Sequence, residues 1–179
     1  MNKVLTKPNR KTRARGFTML ELLITLGIVG VVSTLAISSM TSLMGESSSV
    51  DFTKTLSKTV NFSRIQSVST GQTVTLCTVV DGICANDWTQ DITIFVDANN
   101  NRTLGTNTVL RIVEAIPSQD QLTYSGTALG ISFYPDGSIG DSDNGVFTYM
   151  VNKACDLSTR GVDVNNSGRA RFIEKITCS

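Results

Sequence analysis

The chain has 179 residues and contains no histidine, and 40% of its residues are hydrophobic. A chain of this length forms one domain with appendages, and a core of that size needs no cross-links to fold. The lack of histidine removes the commonest general base and the commonest metal ligand. We therefore expect no histidine-dependent catalysis and no histidine-based zinc site.

The N-terminus is a basic segment followed by a long apolar run. Residues 1–16 carry six basic residues and no acid, whereas the rest of the chain holds ten basic and fifteen acidic residues, a net charge of −5. No residue from Leu22 to Gly45 is charged. As a helix this run would be roughly 36 Å long, enough to cross a bilayer core of about 30 Å. The basic leader would hold the N-terminus in the cytoplasm.

Glu21 is the one charge at the head of the apolar run. Burying a carboxylate there costs about 2.5–3.5 kcal/mol on insertion scales. If the chain is cut after Gly16, the freed α-amine of Phe17, or that of a neighbouring copy, becomes a partner for the carboxylate. Glu21 is then predicted to be an assembly contact. An ordinary signal peptide cleaved near Ala36 would have a shorter apolar run, and an uncleaved anchor would leave Glu21 without a purpose.

The junction Gly16-Phe17-Thr18-Met19-Leu20-Glu21-Leu22-Leu23 resembles the type III signal of type IV prepilins and type II secretion pseudopilins. Met19 departs, conservatively, from the commonest spelling. The resemblance implies cleavage after Gly16 by a prepilin peptidase and methylation of the new amine of Phe17. It also implies an inner-membrane helix that packs with other major and minor pilins in a filament, with the rest of the chain in the periplasm.

Helix signals continue from the apolar run to about Thr70, where Gly71 supplies a stop. Phe52, Leu56 and Val60 recur at i+4, and Ile65 continues near that stripe. This spacing predicts an amphipathic half of the same helix, packed against a sheet.

From Gly71 onward the periodicity of apolar residues changes to two, which is typical of strands. The predicted strands, separated by clusters of Gly, Asn, Asp and Ser, are Thr73–Val80, Ile92–Val96, Val109–Ile116, Ile131–Tyr134, Gly145–Val151 and Ala170–Ile176. Short strands with turns between them favour antiparallel pairing, so the predicted fold is α+β, with one long helix on one or two small sheets. The predicted segments are a leader (1–16), a transmembrane and assembly helix (17–45), its amphipathic half (46–70) and a periplasmic β-rich domain (71–179).

The four cysteines follow the membrane segment, which indicates an oxidising compartment and two disulfides. Four cysteines allow three connectivities. We favour Cys77–Cys84 and Cys155–Cys178, because each pair brackets a stretch rich in turn residues. The C-x2-C spacing of zinc sites is missing.

The part beyond the membrane resembles the GspH/FimT family, which includes the secretion pseudopilin H and the FimT- and FimU-type minor pilins. The matching pieces, in order, are Thr75-Leu76-Cys77, Trp88, Phe95-Val96-Asp97-Ala98-Asn99-Asn100-Asn101, Phe133-Tyr134-Pro135-Asp136-Gly137, and Cys155 followed by Gly168-Arg169-Ala170-Arg171 and Cys178. Arg102 is a departure, since the asparagine-rich turn of the family usually ends in glycine.

Two acidic stretches are interpreted as solvated turns. Asp97-Ala98-Asn99-Asn100-Asn101 begins like a calcium loop but lacks the glycine at its sixth position and the glutamate at its twelfth. Asn and Asp are common turn residues, so a solvated hairpin is favoured over a metal site. The second stretch, Asp136 to Asn144, is interpreted in the same way. Neither suggests catalysis, and the sequence predicts no enzyme, no cofactor, no metal and no small-molecule substrate.

Gly168-Arg169-Ala170-Arg171 is the best candidate for a binding site. On a strand, Arg169 and Arg171 would share a face about 6.6 Å apart, close to twice the 3.4 Å axial rise between phosphates of one DNA strand. Lys175 would extend this basic patch on an otherwise acidic domain, and Lys153 and Arg160 are further candidates.

FimT-type members carry a glycine-arginine-x-arginine motif at this place and bind DNA through it. The resemblance thus implies a FimT-like minor pilin that contacts double-stranded DNA during DNA uptake. Equally, the arginines can pair with acids on neighbouring strands or neighbouring pilins. The alternatives are a FimU-type priming pilin or pseudopilin H without DNA contact and, from another class, a single-span periplasmic binding or adhesion domain.

Overall fold

The computed structural model describes the backbone of residues 16–177, and their side chains except at positions 34–44. The predicted leader up to residue 15 and the C-terminal Cys178 and Ser179 lie outside these residues. The chain divides into two compact units, residues 1–41 and 42–179. Helix α1, Met19–Thr70, contributes its first part to one unit and its second part to the other.

Local hydrogen bonds define both ends of α1. The Glu21 N–H donates to Thr18 Oγ1 at 3.3 Å, so Thr18 caps the helix N-terminus. At the other end Gly71 adopts φ +66°, and its N–H donates to the Ser67 carbonyl at 3.0 Å. The predicted stop at Gly71 is confirmed.

In the first unit, the described side chains of α1 are mostly apolar and exposed. The hydroxyls of Thr25 and Ser33 donate to the carbonyls of Leu22 and Val29, so these polar groups are satisfied inside the helix. Among the residues with described side chains, no helix combines the length and the apolarity needed to cross a membrane. Positions 34–44 of the predicted transmembrane helix lie outside that set.

The second part of α1 packs through a stripe of alternating three- and four-residue spacing. Leu56 and Val60 are fully buried, as predicted, whereas the prediction for Ile65 is wrong because its side chain is 62% exposed. Small hydroxyl residues fill the rest of the stripe: Ser49, Thr53, Ser63 and Ser67. Ser67 Oγ, for example, donates to the Tyr134 carbonyl at 3.0 Å. Such bonds offset the desolvation of the hydroxyl groups and let the backbones approach closely.

In the described part of the chain after the helix, up to residue 177, there are nine strands: β1 Val74–Val80, β2 Ile83–Ala85, β3 Ile92–Val96, β4 Val109–Val113, β5 Gln121–Tyr124, β6 Ile131–Phe133, β7 Gly145–Met150, β8 Arg160–Val164 and β9 Ala170–Ile173. All six predicted strands are present, although β4 and β9 are three residues shorter than predicted. Strands β2, β5 and β8 were not predicted. A short 3₁₀ turn, Val151–Lys153, follows β7.

The strands form two antiparallel sheets. Sheet A has the order β2-β1-β3-β4, with β6 also paired to β1, and sheet B has the order β5-β7-β8-β9. One core cluster joins the helix to both sheets, including Leu56 and Val60 of α1, Ile94 of sheet A, and Phe147 and Val162 of sheet B. The predicted α+β class is confirmed. No described core residue precedes Phe52, so the unit of residues 42–179 carries its own hydrophobic core.

The cysteine prediction is confirmed where the structure describes it. Cys77 and Cys84 form a disulfide across the β1–β2 hairpin, seven residues apart in sequence. Cys155 is also disulfide-bonded. Its predicted partner, Cys178, lies outside the described residues.

The interpretation of the Asp97 turn as solvated is wrong for Asp97 itself, although the rest of the turn, residues 98–101, is exposed. The Asp97 side chain is fully buried. It accepts hydrogen bonds from Thr75 Oγ1 at 2.9 Å and from the backbone N–H groups of Asn101 and Arg102 at 3.1 and 2.9 Å. The turn is therefore built around this carboxylate, and both oxygen atoms of Asp97 accept hydrogen bonds inside the protein.

The same interpretation is also wrong for Asp143, which is fully buried. Arg102 Nη2 lies 2.6 and 2.7 Å from the two oxygens of Asp143, and the Ser132 N–H donates to Oδ2 at 2.9 Å. Arg102 itself has φ +56°, a region that favours glycine. The residue that departs from the family pattern is thus the partner of a buried acid.

Candidate nucleic-acid interface

The predicted binding motif lies at the β8–β9 hairpin. The connecting residues 165–169 form a closed turn, in which the Gly168 N–H donates to the Asn165 carbonyl at 2.8 Å and the Arg169 N–H donates to Asn165 Oδ1 at 3.1 Å. The Asn165 N–H returns a bond to the Arg169 carbonyl at 3.3 Å. Both backbone and side chain of Asn165 therefore fix the point at which Arg169 leaves the turn.

Gly168 shapes this turn. It adopts φ +70°, and a Cβ built on it would lie 2.4 Å from the Gly137 carbonyl oxygen, so no other residue fits without movement of backbone. Arg64 of α1 also fixes this turn, because its Nε donates to the carbonyls of Gly137 and Ser167, both at 3.0 Å. Gly168 is buried. Its geometry supports a positioning role for this predicted site residue.

Arg169 and Arg171 are both exposed. Between them, Ala170 packs against the core cluster, so the alternation of a strand directs the two arginines to the opposite face. Arg171 Nη2 lies 3.9 Å from Asp163 Oδ2 on the neighbouring strand, with side-chain exposures of 77% and 37%. An exposed pair at this distance contributes about 0–1 kcal/mol. Arg169 has no ion pair with any residue that the structure describes.

The other predicted members of the basic patch lie elsewhere. Lys175 is exposed, but it lines a cavity with Glu46 and Glu174. The suggested extension to Arg160 is wrong: its side chain is only 6% exposed, and Nη2 contacts Glu46 Oε1 at 2.7 Å. Lys153 follows β7 at the end of sheet B away from the β8–β9 turn. The patch is therefore centred on Arg169 and Arg171.

Acids border one side of the turn. Asp136 precedes Gly137, and Asp141 Oδ1 accepts a long hydrogen bond from Asn166 Nδ2 at 3.5 Å. Hydrogen bonds from the side chain and the backbone N–H of Ser138 lower the pKa of Asp136 below its usual range. Both carboxylates are exposed. This part of the turn is negative at neutral pH, so an approaching phosphate is favoured away from it, toward Arg171 on β9.

The sequence interpretation missed the helix residues that adjoin the hairpin. Besides the bonds of Arg64, Asn61 Oδ1 accepts from the Ala170 N–H at 3.4 Å, and Lys54 Nζ lies 5.9 Å from the centroid of the Phe172 ring. The spacing of these residues on one side of a helix is visible in the sequence. Which strand they face is not, because it depends on the order of the strands in sheet B.

The predicted assembly residues lie at the start of α1. Gly16, Phe17, Thr18 and Glu21 line one shallow pocket of the first unit. Phe17 is 79% exposed and Glu21 is also exposed. Position 21 is the third residue of the helix, where a negative charge is favoured by the helix dipole.

Solved structures of other proteins share this fold. Two crystal structures of the type IV minor pilin FimU from Pseudomonas aeruginosa, in space groups P21 and P65, are similar in structure, with TM-scores of 0.55 and 0.54. Their sequence identities are 16% and 17%, and the matches cover 67% of this chain and 84% and 88% of the FimU chains. At this identity the likeness concerns the fold. No curated protein sequence matches the chain.

Two sequence-family models match complementary parts of the chain. A prokaryotic N-terminal methylation motif matches residues 11–37, which include the Gly16–Phe17 junction and Glu21. The model described as type II transport protein GspH matches residues 53–168, about two thirds of the chain. The resemblance to the GspH/FimT family is confirmed, and the chain belongs to the GspH family of prepilin-like proteins.

Proposed function

We propose that this protein is a minor pilin of a type IV pilus, of the FimT kind, that contributes weak and sequence-independent contacts to double-stranded DNA. Its family and methylation motif support a pilin-like subunit of a type IV pilus or type II secretion system. In this proposal a prepilin peptidase cuts after Gly16, α1 anchors the protein in the inner membrane, and other pilins then take it into a filament. The unit of residues 42–179 faces the periplasm.

Processing is the first testable step. We expect the mature N-terminus to be methylated Phe17, because a methylation motif spans the junction at which a basic leader ends in Gly16. The measurement is intact mass and N-terminal sequencing of protein extracted from the membrane. A protein that retains Met1, or that begins near Ser38, would contradict the pilin assignment.

The observation that carries the DNA proposal is the presentation of Arg169 and Arg171. Both arginines are exposed, Arg169 at the end of the β8–β9 turn and Arg171 on the edge strand β9, and the turn is fixed by Gly168, Asn165 and Arg64. Guanidinium groups suit phosphate oxygens, to which they donate two parallel hydrogen bonds. Because only a few phosphates are contacted, single-site affinity should be micromolar or weaker. Useful retention of DNA would come from several copies along one pilus.

The test is a titration of short duplex DNA with residues 42–179, a fragment that keeps the core and the contact between Glu46 and Arg160. Two to four phosphate contacts predict a log–log salt slope of roughly −2 to −4. Changing Arg169 and Arg171 together to glutamine should remove most binding. Folding should be preserved, because exposed substitutions usually change stability by less than about 0.5 kcal/mol.

The matched control is Lys153→Gln, which removes an exposed cation from the far end of sheet B. It is compared with the single variant Arg171→Gln, which also removes one exposed cation. Only the hairpin variant should weaken binding. If the wild-type fragment does not bind duplex DNA even at about 50 mM salt, where the electrostatic contribution is strong, the DNA role is wrong. A FimU-type priming pilin or the secretion pseudopilin H would then be the better assignment.

A further inference from the structure

We propose that Lys54 and Lys58 of α1 form a second row of phosphate contacts, so that DNA lies along the β9 edge and is held from both the strand and the helix. The inference rests on the DNA-binding function proposed above and extends its site to residues outside the glycine-arginine-x-arginine motif. Its partner is the phosphodiester backbone of duplex DNA.

The first argument is the register between α1 and β9. Three contacts fix it: Lys54 Nζ with the Phe172 ring at 5.9 Å, Asn61 Oδ1 with the Ala170 N–H at 3.4 Å, and Arg64 Nε with the Ser167 carbonyl at 3.0 Å. These contacts occur in reverse order along the two segments, so α1 runs antiparallel to residues 167–172. Lys58 lies on α1 between the first two of them, one turn from each.

The second argument is exposure and spacing. Lys54 and Lys58 are both exposed, and neither forms an ion pair with a described residue. Four residues of helix separate them by about 6 Å along the axis. That separation matches the spacing of about 6.6 Å expected between Arg169 and Arg171. Both rows therefore have a period close to twice the 3.4 Å axial rise between phosphates of one strand.

The third argument is the distribution of charge around the hairpin. The turn is bordered by the exposed carboxylates Asp136 and Asp141, and Asp136 directly precedes Gly137, which contacts Arg64 near the end of α1. Along α1, Lys54 and Lys58 are followed by Arg64, and the nearest helix acid is Asp51, one turn before Lys54. Asp163 is already paired with Arg171. A polyanion at Arg169 is thus repelled by Asp136 and Asp141 beside the turn and attracted by Lys54 and Lys58, which lie further from the turn on α1.

The experiment compares DNA binding of the 42–179 fragment with that of Lys54→Gln/Lys58→Gln, at about 50 and 200 mM salt. Loss of two phosphate contacts should reduce the magnitude of the log–log salt slope by about 1.8. The ratio of wild-type to variant affinity should therefore be about 10-fold or more at the lower salt and shrink roughly 10-fold at the higher salt. Lys54→Arg/Lys58→Arg should keep the wild-type slope, which separates charge from any structural effect.

Lys153→Gln is the matched control for the single variant Lys58→Gln, since each removes one exposed lysine of the same domain. If Lys54→Gln/Lys58→Gln keeps the wild-type slope while Arg169→Gln/Arg171→Gln loses binding, the helix row is wrong and the proposed function stands. If the wild type does not bind DNA, both are wrong. Weaker binding and a shallower slope in Lys54→Gln/Lys58→Gln, with most binding lost in Arg169→Gln/Arg171→Gln and Lys153→Gln unchanged, would support the two-row surface.

Discussion

Replacement of Arg102 by glycine should lower the free energy of unfolding of the 42–179 unit by about 2–3 kcal/mol. Removing one partner of a buried ion pair costs about 3–5 kcal/mol, because it leaves the other charge buried without compensation. Asp143 is fully buried and Arg102 is 26% exposed, so the lower part of this range applies. Glycine also relieves the left-handed backbone at φ +56°, which offsets about 1 kcal/mol.

The measurement is urea or thermal unfolding of the fragment with its disulfides intact. A loss of this size should lower the midpoint temperature by roughly 6–10 °C. The matched control is the double variant Arg102→Gly/Asp143→Asn, in which no charge remains buried, and it should recover much of the stability. A double-mutant cycle then isolates the coupling between the two residues. Equal stability of Arg102→Gly and wild type would mean that Asp143 finds another partner or water.

This ion pair illustrates what the sequence did not reveal. Its two residues are forty-one positions apart, and each lies in a stretch rich in Gly, Asn and Asp. Such a composition is typical of solvated turns, so local reasoning assigned Asp97 and Asp143 to the surface. Their burial is set by the packing of the β3–β4 and β6–β7 connections on each other, with Ser132 between them. Residue types within one turn carry no information about the second turn.

Among the helix and the strands, too, local sequence patterns predicted some features correctly and missed others. Strand β3 was predicted with its observed bounds because it is a short apolar run between turn residues. Strand β8 was missed because only Val162 and Val164 carry its alternation, next to Gly161 and Asp163, whose residue types are common in turns. On α1, the buried hydroxyls of Ser63 and Ser67 are polar and gave no apolar signal, whereas Ile65 gave a false one.

In the candidate site, too, some residues could be predicted from the sequence and others could not. The glycine-arginine-x-arginine motif could be found because it is continuous in sequence. The structure explains its glycine, since Gly168 has a positive φ and lies close to the Gly137 carbonyl. Burial of Arg160 depends on Glu46, which is 114 positions away. The proximity of Lys54 to Phe172 depends on β9 being an edge of sheet B. Residues that act through neighbouring elements need the topology before they can be found.

Glu21→Val should leave the protein in the inner membrane and abolish its entry into filaments. Removing a carboxylate from an apolar helix makes insertion easier, by up to about 2.5–3.5 kcal/mol, the value on insertion scales for a charge at the helix centre. Among the residues described in the first unit, no lysine or arginine is present to pair with Glu21. The α-amine of a processed Phe17, in the same chain or a neighbouring one, is the cation that the assembly proposal supplies. Without the carboxylate, this amine would have to be buried alone between helices.

The measurement is the amount of protein in sheared filaments relative to the amount in the membrane fraction. Glu21→Gln is the matched control, because it keeps the length and the hydrogen-bonding groups of the side chain but removes the charge. The Thr18 hydroxyl caps the backbone N–H of residue 21, not its side chain, so the cap survives in both variants. If pairing of charges drives assembly, glutamine should fail like valine, while Glu21→Asp should retain part of the incorporation. Normal incorporation of Glu21→Val would show that the carboxylate has no assembly role, and incorporation of Glu21→Gln alone would assign that role to hydrogen bonding.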